Sequence, residues 1–102
     1  MHINFERTGG FAGMRLAAAI DTATLPADQA GALHDLVDAA HFFELPSQMP
    51  PQTNVADQFH YHVTIEAAGQ SHTVDVGDSS APPALQALLQ QLMLLARSAR
   101  ST

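Results

Sequence analysis

The apolar period along the chain is strand-like, then helical, then strand-like, then helical again, and it predicts the elements. In "HINFE", Ile3 and Phe5 alternate with His2, Asn4 and Glu6, which predicts a half-buried strand. "MRLAAAI" repeats the alternation through Met14, Leu16, Ala18 and Ile20, although alanine is a poor strand former. The glycine-rich "RTGGFAG" joins the two runs, so they are expected to form a hairpin with an irregular tip. In "LPADQAGALHDLVDAAHFF" the period becomes helical, with Leu33, Leu36, Val37 and Ala40 on one stripe. Pro26 suits the first helical position, and Asp28 meets the positive end of the helix dipole. Gly31 inside this helix costs about 1 kcal/mol relative to alanine.

The clearest strand is "QFHYHVTIE". Phe59, Tyr61, Val63 and Ile65 line one face; His60, His62, Thr64 and Glu66 line the other. "QSHTVDV" follows across a tight turn at Ala68-Gly69. A two-residue turn sets Val63 opposite Val74 and His62 opposite Asp75, which keeps both apolar sets on one face. A last helix carries Leu85, Leu88, Leu89, Leu92 and Leu95 or Ala96, with Pro82 and Pro83 at its start and Arg97 and Arg100 at its negative end. Between the halves, "FFELPSQMPPQTNVAD" is a connector in which Pro46, Pro50 and Pro51 forbid regular helix. Phe42 and Phe43 are expected to anchor its start in the core. The expected fold is α+β: one ββαββα domain over residues 1–98, an antiparallel sheet with both helices packed on one face, and a tail at 99–102.

Composition narrows the functions. With 102 residues the chain fits one domain and can bury one core without staples. Ten acids against four arginines, with no lysine, give a net charge of −6. Nucleic-acid binding needs clustered cations, so it is not expected. A partner with a positive or mixed surface is favoured instead. The absence of cysteine excludes disulfides, thiolate catalysis and cysteine zinc sites. The apolar runs are too short to cross a bilayer, and "MHINFERTGG" lacks a basic segment followed by an apolar run. The expected location is the cytoplasm.

Candidate chemistry is sparse. No H-E-x-x-H, no G-x-S-x-G and no phosphate-cradling loop with lysine is present, so no enzyme is expected. His60 and His62 share a strand face, with Asp75 opposite His62. This trio resembles part of a zinc site but leaves the tetrahedral shell incomplete, and an ordinary cross-strand pair explains it as well. No metal or other cofactor is therefore expected. Six histidines invite a pH switch, but scattered surface histidines usually switch nothing. The remaining feature is the tip: Gly9, Gly10, Phe11, Ala12 and Gly13. Phe11 either folds into the core or is presented to a partner. In the second case glycine lets the backbone approach another surface closely, and one aromatic can dominate binding.

The ordered stretches "INFERTGGFAGMRL…IDTATLP", "AAHFFELP" and "DQFHYHVTIE…HTV" resemble the emfourin family, proteinaceous inhibitors of protealysin and related thermolysin-like metallopeptidases. The resemblance runs from Ile3 to about Ala96 and is loosest through "SQMPPQTNVA" and the last helix. It implies a reversible inhibitor that acts in the cytoplasm as a monomer, blocks the cleft of a thermolysin-like zinc peptidase, and needs no zinc itself. Such peptidases prefer a bulky apolar side chain just after the cleaved bond, which Phe11 would supply. A second contact is expected from Gln48, Met49, Pro50 and Pro51, where proline limits the freedom lost on binding. The alternative is a non-enzymatic protein-interaction module that uses the exposed sheet face and has no protease target. A histidine metal carrier is a third, weaker option.

Overall fold

A computed structural model describes residues 1–9, 15–49, 59–77 and 80–100. The strands are β1 (His2–Gly9), β2 (Leu16–Asp21), β3 (Gln48–Met49), β4 (Phe59–Ala67) and β5 (Gln70–Gly77). The helices are α1 (Ala27–Ala40) and α2 (Pro83–Arg100). The sheet order is β2-β1-β4-β5-β3. Each of the four long strands is antiparallel to its long neighbours, as expected, and the two helices pack on each other, with α2 against β2.

The alternation in the sequence becomes the two faces of this sheet. Ile3, Phe5, Leu16, Ile20, Tyr61, Val63, Ile65, Val74 and Val76 are buried beneath the helices. From above they meet Leu33, Val37 and Ala40 of α1 and Leu85, Leu88, Leu89, Leu92 and Ala96 of α2. Leu36 and Leu95 lie at the margins of their stripes, packed against the core but only half-buried. Each fully buried leucine contributes about 1.5–3 kcal/mol of transfer free energy, so this layer dominates stability. The opposite sheet face carries His2, Asn4, His60, His62 and Glu66, all exposed, as an antiparallel sheet allows.

Local chemistry sets the element ends. Ala67 pairs with Gln70, leaving Ala68-Gly69 as a two-residue turn with φ of +52° and +77°. Positive φ at both positions matches strand twist, and it puts Val63 opposite Val74 and His62 opposite Asp75, as the pattern requires. Pro26 takes the cap position of α1, one residue before Ala27, rather than the first helical position expected for it. The helix ends at His41, whose left-handed backbone (φ +50°) turns its N–H back to the Val37 and Asp38 carbonyls.

The connector after α1 contributes an element that the hydropathy pattern does not show. Phe42 is buried at once, with its ring edge-on to Phe43 and His72. His72 Nε2 donates to the Leu45 carbonyl at 2.7 Å, which fastens the connector to β5. The chain then runs along β5: the Asp75 N–H donates to the Ser47 carbonyl at 2.8 Å, and Gln48–Met49 pair in parallel with Asp75–Val76. Two residues are too few to display alternation, and the flanking prolines confine such pairing to a sheet edge.

Candidate functional site

The strand registers converge on one end of the sheet. Leu16 lies opposite Arg7, Arg7 opposite Tyr61, Tyr61 opposite Val76 and Val76 opposite Met49, a single row across all five strands. One step outward, Gly9 faces Phe59 and His60 faces Gly77. β1 and β3 run toward this end, and β2 and β4 start from it. Segments 10–15 and 50–58 are therefore rooted at the same edge of the fold. Strands are about 4.8 Å apart, so Arg7 and Met49 stand about 14 Å from each other along the row.

Of the expected contact residues, Gly9, Gln48 and Met49 fall in the described structure. Gly9 closes β1 with φ +93°, a conformation that favours glycine. Gln48 is exposed on the short edge strand. Gly10, Phe11, Ala12, Gly13, Pro50 and Pro51 lie outside the described residues.

Arg7 occupies this end in a way that the sequence reading missed. It continues the core-facing set of β1 after Ile3 and Phe5, so its stem enters under the sheet. Because Gly9 has no side chain opposite Phe59, the ring has room to lean over its diagonal neighbour. The Arg7 guanidinium carbon lies 4.2 Å from the Phe59 ring centroid. Nη1 donates to the Met93 sulfur at 3.1 Å, while Nε is buried with no acceptor among the described residues. A stacked cation returns about 0.5–2 kcal/mol. A buried donor without an acceptor costs about 1–3 kcal/mol. The two nearly cancel, so stability alone does not account for an arginine here. The signal in the sequence was a charge standing in the apolar phase of a strand.

The open sheet face holds the histidines. His62 Nδ1 is paired with Asp75 Oδ1 across the strands, and both side chains are about half exposed (53% and 49%). Glu6, also opposite His62, turns instead to Arg15 at 2.8 Å. Thr64 and Thr73 hydroxyls meet at 2.8 Å in the same strand pair. Among the described residues, no three histidine, aspartate or glutamate side chains gather as a metal-binding group. The His62–Asp75 contact is an exposed cross-strand pair of small energetic weight. No helix among the described residues is long and apolar enough to cross a membrane.

Comparison with known proteins adds a family. The family model described as Emfourin matches residues 5–93. Among solved structures, the chain is similar to emfourin (M4in) from Serratia proteamaculans, described as an M4 family peptidase inhibitor. The two share 24% sequence identity over 88% of this chain and 86% of that chain, with a TM-score of 0.49. No curated protein sequence matches the chain.

Proposed function

The chain belongs to the Emfourin family, and from that premise we propose that it inhibits a thermolysin-like (M4 family) zinc metallopeptidase and catalyses nothing itself. The mechanism is reversible blockage of the active-site cleft by the segments rooted at the open end of the sheet. Gly9 to Gly13 present Phe11 as the apolar anchor, and Gln48 to Pro51 form the second contact. The inhibitor acts as a monomer in the cytoplasm, with protealysin-like enzymes as its targets. It supplies no metal ligand.

The observation that carries the placement of the site is the cross-strand row from Leu16 to Met49, which starts both segments at one edge. Two segments that left from opposite ends could not enter one cleft. The family match supports the target class, since it extends from within β1 to within α2 and so includes every root of the site.

The test is a titration of a thermolysin-like peptidase with the purified protein, read by cleavage of a small peptide. Stoichiometric loss of cleavage is expected. A small substrate separates blockage of the cleft from competition by a digestible protein. Undiminished cleavage at excess inhibitor would overturn the proposal, and the protein would then be an interaction module without a protease target.

A further inference from the structure

Arg7 ties three elements together at one guanidinium. Its backbone belongs to β1, two residues before Gly9, where segment 10–15 departs. Its planar group stacks on Phe59, the first residue of β4, where segment 50–58 ends. Its Nη1 donates to Met93 on α2. No carboxylate of the described residues pairs with it; the ion pairs among them belong to Arg15 and to histidines. The cation is therefore spent on orienting an aromatic ring and a thioether.

We infer that Arg7 is a positioning residue for inhibition: by fixing the plane of the Phe59 ring it holds in place the ends of β1 and β4, the roots of both segments. The inference rests on the proposed inhibition of a metallopeptidase. Its physical basis is preorganisation. Segments whose roots are already fixed lose less freedom on docking, and that saving appears as affinity without any new contact to the partner. The side chain suits the task because a guanidinium is flat, stacks on aromatic faces and stays charged at all working pH values. Lysine offers a point charge on a flexible stem. Methionine fills the volume but specifies orientation poorly.

The experiment compares the full chain with Arg7→Met and Arg7→Lys in three measurements: melting temperature, inhibition constant against a thermolysin-like peptidase, and amide exchange at Phe59 and His60 in the free protein. R7M is expected to melt at or above the parent temperature, because the acceptor-less buried donor is gone. Its inhibition constant is expected to rise about tenfold, with faster exchange at the root of β4. R7K should fall between R7M and the parent in both. Two results would overturn the inference. One is an unchanged inhibition constant in folded R7M. The other is a lowered melting temperature that by itself accounts for the lost inhibition. Should the parent protein fail to inhibit, the proposed function falls, and the exchange measurement still decides whether Arg7 holds the root of β4.

Discussion

The two ends of the sheet are built on opposite principles. The end where β4 turns into β5 is tied by a short turn and backbone hydrogen bonds. Ala68-Gly69 closes the hairpin in two residues. The Thr22 N–H reaches the Met1 carbonyl at 3.0 Å, and Asp21 caps the turn after β2 by accepting from the Ala23 N–H at 3.0 Å. At the other end, segments 10–15, 50–58 and 78–82 join the elements; at their roots the Arg7 guanidinium stacks on Phe59, and the Ser80 N–H donates to the Gly77 carbonyl at 3.0 Å. Short connections give rigidity and little surface for a partner. Longer segments on a rigid rim give reach, and binding residues are concentrated on such loops. Under the proposed function, stability belongs to the body and the tight end, and recognition to the open end.

The sharpest way to break this division is a large lesion in the body. Leu88, on the core-facing side of α2, is fully buried. Leu88→Ala should cost about 2–5 kcal/mol in a denaturant titration, while the fraction that remains folded inhibits as the parent does. Loss of inhibition at full folding would blur the division. The reciprocal lesion is Phe11→Ala. As the proposed anchor it should weaken inhibition by about 2–4 kcal/mol, with the melting temperature unchanged. An unaltered inhibition constant would remove the ring from the contact.

How far the sequence foretold each region follows the same contrast. Alternation in "HINFE" and "QFHYHVTIE", and the stripe from Leu85 to Ala96, announce the body because burial imposes a period on local sequence. Even the register was legible, since a two-residue turn at Ala68-Gly69 leaves one apolar-matched alignment. Two features at the open end leave no such trace. β3 spans two residues and depends on His72 reaching the Leu45 carbonyl, a contact across 27 positions. The Arg7–Phe59 stack depends on Gly9 being opposite Phe59, which follows only once β1 and β4 are paired. The composition of the tip and of the proline segment marked them as candidates, and the common end they share emerged only from the pairing.

Smaller changes sharpen the comparison. A Cβ added at Gly31, on the exposed side of α1, meets nothing within 4 Å. Gly31→Ala should therefore stabilise the fold by about 0.5–1 kcal/mol and leave inhibition untouched, as calorimetry beside the peptidase titration would show. At the tight end, Ala68 adopts φ +52°, which asparagine tolerates better than alanine. Ala68→Asn should add a few tenths of a kcal/mol (about 0.3) and again leave the inhibition constant where it was. If either change at the body or tight end altered inhibition, recognition would not be confined to the open end.

The most direct measurement is amide hydrogen exchange of the inhibitor, free and mixed with a thermolysin-like peptidase. The account predicts new protection at Thr8, Gly9, Leu16, Gln48, Met49, Phe59 and His60, and none at Ala67 to Gln70. Protection confined to the Ala68-Gly69 end, or to the histidine-bearing face with the rim unchanged, would contradict it.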